Sequence, residues 1–291
     1  MFQKLKKFFK LRPVNFCSID LGETENTKIL GFETAAESKS AIKLYQPGFT
    51  EESGHDCHIA IPSSLAIVKS ITIDTVLNDI EIENFLTLNA EQYLDCSLDK
   101  VDFDYKIIKQ AKNQTEIKLV AVRKELFVNC IVPLKNDGFI PKIVNIDLLA
   151  LVEGVSWLMG NSEFPYAIIN IDQKRLLFCV LCNNEIIYFH SNYSHDFSVT
   201  SEIVTEIGVI LQLYNSLHSL EIRKIVLSGT CALNQGLVES LVKYTHLPVE
   251  VADFSKKILQ DKKMIVDEMV VKNAPKLLIA FGLALRALNY A

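Results

Sequence analysis

The sequence predicts an α/β protein of two related lobes, and three observations carry that prediction. Two strands end in an aspartate and a turn, Ser18-Ile19-Asp20-Leu21-Gly22 and Asn170-Ile171-Asp172-Gln173-Lys174, and each runs on into a second and a third strand. Helices at 3.6-residue spacing follow each meander, the order expected of mixed sheets faced by helices. Of the 291 residues 49% are apolar, enough to bury a substantial core and to fill two lobes.

Taken in order, residues 1–12 form a basic tail, with Lys4, Lys6, Lys7, Lys10 and Arg12 and no acidic residue. Phe2, Leu5, Phe8, Phe9 and Leu11 fall roughly at helical spacing. The tail therefore reads either as an amphipathic segment for peripheral contact with anionic lipid or as a solvated end before the first strand. Val14–Leu21, Thr27–Glu33 and Ala41–Tyr45 read as the first meander and Cys57–Pro62 as a fourth strand. An inserted block follows: helix Glu81–Leu94, with apolar residues at 82, 85, 86, 88, 90, 93 and 94, strands near Val101–Lys109 and Ile117–Val122, and helix Lys124–Leu134. The chain returns through strand Lys142–Ile146 and helix Leu148–Leu158. Tyr166–Asp172, Leu176–Cys182 and Glu185–His190 repeat the meander, with Asn183-Asn184 as a tight hairpin turn. Helix Val199–Ser216, strand Lys224–Leu227, the Ser228-Gly229 turn, helix Asn234–Thr245 and edge strand Val249–Val251 follow, and Pro275 introduces the closing helix Lys276–Leu288. The expected division is a tail over 1–12, a first lobe over 13–62 and 139–163, an inserted αββα-type subdomain over 63–138, and a reduced second lobe over 164–291.

Composition removes several function classes. A net charge of −5 is too balanced to argue for nucleic acid as a partner. No run of about 18 apolar residues is present, so no spanning helix is expected, and no apolar core follows the N-terminal charges as a secretory signal requires. The seven cysteines are scattered, and Cys179 and Cys182 alternate to opposite faces of one strand, so they read as small buried hydrophobes in a reducing cytoplasm. His55-Asp56-Cys57-His58 packs ligand types into four positions without a second ligand group, and no metal is expected there. No Ser-His-Asp, Cys-His or paired-carboxylate arrangement has a supporting context; no catalytic residue is assigned and no enzyme is expected.

The two aspartate turns are phosphate-loop hairpins in outline. In a working nucleotide cleft of this kind the aspartate reaches a hydrated metal, and glycine with small hydroxyl residues lets backbone N–H groups close on phosphates. The candidate nucleotide set is Asp20, Gly22, Asp172, Lys174, Ser228 and Gly229. Glu23 and Glu25 crowd the first turn, where each like charge at contact costs on the order of 1–4 kcal/mol. Gln173 stands where the second turn wants glycine, although Lys174 and Arg175 bring charge that attracts phosphate. The cleft is expected to be degenerate, without ATP or magnesium as a cofactor.

In this order, Ser18–Gly22, Ala60–Ser64, Glu91–Leu94, Leu119–Leu126, Gly138–Asp147, Leu227–Gly229, Leu247–Val249 and Ala280–Arg286 give the chain a pattern that resembles the PilM family of type IV pilus assembly, and more distantly the HofM-like proteins and the cytoplasmic part of GspL. The resemblance covers nearly the whole chain. It implies an actin-like, ribonuclease H-like fold with duplicated lobes, and a cytoplasmic adaptor at the inner face of the bacterial inner membrane. It also implies a partner: the N-terminal tail of a PilN-like membrane protein, held in a groove of the first lobe beside the inserted subdomain, which couples the PilN–PilO complex to the pilus motor and platform. For that groove the candidate lining residues are Phe85, Leu88 and Tyr93 on the inserted helix and Leu149, Val152 and Trp157 on the first-lobe helix. Compared with longer relatives, the chain passes quickly from His190 to Val199, where a wall of the nucleotide cleft is expected to be missing. The alternative is a nucleotide-binding switch, or an ATPase or kinase of the actin and Hsp70 superfamily; a filament former with a C-terminal anchor fits less well, since the basic amphipathic segment is N-terminal.

Overall fold

The computed structural model describes residues 15–22, 27–34, 42–45, 55–94, 97–111, 113–193, 196–260 and 264–290. The basic tail, Glu23 and Glu25, the Ala35–Ser40 turn and most of the Tyr45–Cys57 connection lie outside them. The chain divides into two compact units, residues 1–62 with 137–291, and residues 63–136.

The larger unit contains two sheets of the same design. In the first, β1 (Asn15–Asp20), β2 (Lys28–Thr34) and β3 (Ile42–Tyr45) form an antiparallel meander, and β4 (His55–Ile61) and β8 (Phe139–Ile146) add parallel strands on the other side of β1. In the second, β9 (Tyr166–Ile171), β10 (Leu176–Cys182) and β11 (Glu185–Asn192) form the meander, and β12 (Ile225–Ser228) and β13 (Val249–Val251) the parallel pair. The strand order β3-β2-β1-β4-β8 recurs as β11-β10-β9-β12-β13, which is the duplication expressed as topology. Asn183 and Asn184 turn between β10 and β11 with φ of 52° and 63°, the left-handed pair that a tight hairpin requires.

The second sheet is apolar along whole strands. Every residue of β9 is buried, as are six of the seven in β10, a pattern expected of strands covered on both faces. One face packs on α4 (Thr200–Leu217) and α5 (Gln235–Thr245), through Ile203, Ile207, Ile210, Tyr214, Leu237 and Leu241. Each such side chain removed from water contributes about 1.5–3 kcal/mol. Asn234 caps α5 by accepting from the Gly236 N–H at 3.0 Å.

The end of the chain departs from expectation. Helices α6 (Phe254–Leu259) and α7 (Glu268–Asn273) flank β14 (Met264–Val266), which pairs with β3, and α8 (Leu278–Tyr290) packs on β1, β4 and α3 (Asp147–Met159). This segment is thus built onto the first sheet, not the second. Glycines make the helix crossing close: a Cβ on Gly282 would lie 1.9 Å from the Ala150 carbonyl oxygen, and one on Gly154 2.9 Å from that of Leu278.

The smaller unit is βαββα, not αββα. A strand absent from the sequence reading, β5 (Ala66–Ile73), precedes α1 (Asp79–Leu94), β6 (Val101–Ala111), β7 (Gln114–Arg123) and α2 (Lys124–Asn136). The sheet order is β5-β7-β6, all antiparallel. Its core unites Ile71, Ile73, Ile117, Leu119 and Ala121 from the sheet with Ile82, Leu86 and Leu94 from α1. Asn78 caps α1 reciprocally with Glu81: the Asn78 N–H donates to Glu81 Oε2 at 2.8 Å, and the Glu81 N–H to Asn78 Oδ1 at 3.0 Å.

Candidate functional site

The two turn aspartates meet in the larger unit, together with three residues that the sequence reading left out of the site. Asp20 ends β1 and Lys28 opens β2, directly opposite it in the hairpin register. Asp172 follows β9 and Arg175 precedes β10 across a two-residue turn, closed by the Asp172 N–H donating to the Arg175 carbonyl at 2.8 Å. Asp147 is the first residue of α3, placed by the end of β8, where the helix N-terminus favours its charge.

Arg175 lies at the centre. Its Nη1 donates to Asp20 Oδ1 at 2.7 Å and reaches Asp147 Oδ2 at 3.3 Å; its Nη2 donates to Asp20 Oδ2 at 2.7 Å and to Asp172 Oδ2 at 2.6 Å. Lys28 Nζ donates to the same Asp172 oxygen and stands 4.0 Å from Asp20 Oδ2. The other Asp172 oxygen accepts from the N–H and hydroxyl of Thr230, both at 2.8 Å, while Asp147 Oδ2 accepts from the Tyr193 hydroxyl at 2.9 Å. None of the five charged side chains is more than 5% exposed.

Burial this deep moves the titrations. Burial alone would push the Asp172 carboxyl up, but the Lys28 ammonium and Arg175 guanidinium outweigh it and hold the group below the ordinary carboxylate range. Burial depresses Lys28, partly offset by the Asp172 charge. For Arg175 the carboxylates, Asp20 foremost, overcome burial and fix the positive charge.

Of the remaining candidates of the nucleotide set, Gly22, Ser228 and Gly229 lie next to this cluster and are tied into the surrounding backbone. The Gly22 N–H donates to Asp20 Oδ1 at 3.2 Å with φ of 52°. Ser228 is fully buried and accepts from Asn170 Nδ2 at 3.0 Å. At Gly229, φ is 90° and a Cβ would stand 2.3 Å from the Ile171 carbonyl oxygen, so the glycine answers to a protein backbone close behind it. Lys174 stays at the surface while its neighbour Arg175 is swallowed. The connection from β11 to α4 is residues 193–199. This donor set does not fit a metal bridging phosphates to the turn aspartates, because a guanidinium fork stands where the carboxylates converge.

The peptide-groove candidates divide between the units. On α1, Phe85 and Tyr93 are half-buried with ring centroids 6.3 Å apart, and Leu88 is 84% exposed. On α3, Leu149 and Val152 are half-buried. Trp157 takes a packing role: its ring meets Phe281 edge-on at 5.0 Å, and Lys257 sits 4.6 Å from its centroid while donating to its carbonyl at 2.6 Å. The smaller unit also has an open groove of about 810 Å³, lined by Asp79, Glu83, Phe103, Tyr105, Lys106 and Lys124 among others, whose mixed charge singles out no ligand.

The family described as type IV pilus assembly protein PilM matches residues 49–205 and 197–288, most of the chain. The chain belongs to the PilM family. Among solved structures, it is similar to the PilM-PilN type IV pilus biogenesis complex, with a TM-score of 0.70 at 14% identity over 94% of this chain and 99% of that one. It is similar also to the cytoplasmic domain of EpsL, an inner membrane component of the type II secretion system of Vibrio cholerae, with a TM-score of 0.50 at 15% identity over 94% and 95% of the two chains. At these identities the likeness shows the fold, which is actin-like; PilM membership connects the chain to pilus assembly. Among the described residues, no helix is long and apolar enough to cross a membrane.

Proposed function

We propose that this PilM-family protein is a non-enzymatic adaptor of type IV pilus assembly, or of a related competence or secretion machine, and that it works without a nucleotide. The observation that carries the reading is the ion-paired cluster. A phosphoryl-transfer site needs an aspartate open to metal and a carboxylate or water-positioning group facing the nucleotide. Here Asp20, Asp147 and Asp172 are all engaged by Arg175, Lys28, Tyr193 and Thr230.

The partner in this reading is the N-terminal tail of a PilN-like inner-membrane protein, held at the cytoplasmic face of that membrane. Through the tail the adaptor links a PilN–PilO complex to the motor and platform. The complex of PilM with PilN among the similar structures supports this partner. On α1, Leu88 offers an exposed apolar contact one helical turn from Phe85, suited to a side chain of an extended peptide. Isothermal titration calorimetry of the full chain with a synthetic peptide of the PilN-like tail from the same organism tests the proposal. Saturable one-to-one binding, weakened by Leu88→Glu, is the expected result. Absence of heat with a peptide that is soluble and intact would overturn it.

A further inference from the structure

The two hairpins of the duplication carry the same charge pattern. Each has an aspartate where its first strand ends and a cation opposite it where the second begins: Asp20 with Lys28, and Asp172 with Arg175. Each cation also reaches across to the other hairpin. Lys28 bonds Asp172, and Arg175 grips both oxygens of Asp20 at 2.7 Å. The exchange joins the turn end of one central hairpin to the turn end of the other through buried, charge-assisted bonds.

We infer that Arg175, seconded by Lys28, is a built-in counter-cation that replaces metal and phosphate between the two turns, so that the hairpins are fastened by the chain itself whatever the nucleotide. Three carboxylates converge on one guanidinium, and such a group of like charges stays ionised in a buried site only with a cation among them. A protein that takes this cation from solution is sensitive to its ligand. This chain carries the cation on the residue just before β10, and the planar fork lets one side chain hold Asp20 and Asp172 together, which an ammonium cannot do as well. The inference stands whichever partner the adaptor holds.

Calorimetric melting of the full chain tests it, with wild type, Arg175→Met and the double variant Arg175→Met/Asp20→Asn each scanned in EDTA, in millimolar magnesium or manganese, and in magnesium-ATP. Wild type should melt at one temperature in all buffers. Arg175→Met should melt lower in EDTA and recover part of the loss when a divalent cation is added, because the three carboxylates then surround a vacated cation position. Adding Asp20→Asn should abolish that recovery and, by reducing the excess negative charge, raise the EDTA melting temperature above that of Arg175→Met. A wild-type melting temperature raised by magnesium-ATP, or a folded Arg175→Met indifferent to divalent cations, would overturn the inference. Should Arg175→Met fail to fold, the double variant decides: relief of the charge imbalance restores folding if the inference is right, and a double variant that also fails overturns it.

Discussion

At the residue scale, Asp172 and His58 respond to acid in different pH ranges. His58 lies buried on β4, 4.4 Å from the Phe16 ring, and burial holds it down to about 4 against a weak opposing pull from Asp56. The unfolded chain binds this proton first, so stability falls as pH drops from about 6.5 to about 4 and the contribution is flat on either side. The Asp172 contribution is complete above the unfolded carboxylate value of about 3.9 and is lost as pH falls through its depressed folded value. Thermal unfolding at pH 7, 5 and 3 separates the two. His58→Leu should remove much of the loss between the first two points, and Asp172→Asn should start less stable at pH 7 and lose less at the most acid point; an unchanged acid slope in Asp172→Asn would contradict the ion-pair account. Breaking the cluster from the cationic side, Lys28→Ala should cost about 3–5 kcal/mol, measurable by urea unfolding, because three buried carboxylates are left with one cation in place of two. Asp20 and Asp172 were legible in the sequence, since an apolar strand ending in Asp before a turn is a local pattern. Lys28 and Arg175 were not: the lysine fell unremarked within the second strand and the arginine read as charge that attracts phosphate, and only the strand register turns them onto the aspartates. The i, i+3 spacing of Asp172 and Arg175 across a short turn was the one local signal available.

At the scale of elements, α1 shows how periodicity assigns a helix without assigning its faces. Leu86 is 1% exposed in the subdomain core and Leu88 is 84% exposed. Leu86→Ala should therefore cost about 2–5 kcal/mol, while Leu88→Glu should change urea unfolding by no more than about 0.5 kcal/mol; equal effects would mean that the helix packs differently. The strand β5 escaped notice because Lys69 interrupts its apolar run, and because only Ile71 and Ile73 show the alternation of a half-buried strand. The closing elements were misplaced for a different reason. A helix like α8, whose residues from Leu278 to Leu285 are all apolar and buried, shows no preferred face there, and a three-residue strand such as β14 carries no period, so nothing local says which sheet they join. The glycine pair does say where α8 crosses α3. Gly282→Ala forces a Cβ into the Ala150 carbonyl and should destabilise by about 1–3 kcal/mol or more by urea unfolding, a larger loss than alanine in a helix would otherwise bring.

At the scale of the whole molecule, the duplication was legible because both meanders carry the same landmarks in the same order, and the strand orders of the two sheets repeat accordingly. What the sequence did not disclose is how the two turns meet: residues 155 positions apart, Asp20 and Arg175, are joined by the packing of two sheets and not by any local pattern. In the proposed reading, Arg175 and Lys28 hold the carboxylates of the central turns from within, and this PilM-family chain works by holding a partner. The central claim of that reading is best tested by a fluorescence anisotropy titration of the full chain with the labelled N-terminal tail of the PilN-like protein, run with and without magnesium-ATP. The account predicts saturable binding with one Kd in both conditions; binding that requires magnesium-ATP, or no binding in either, would contradict it.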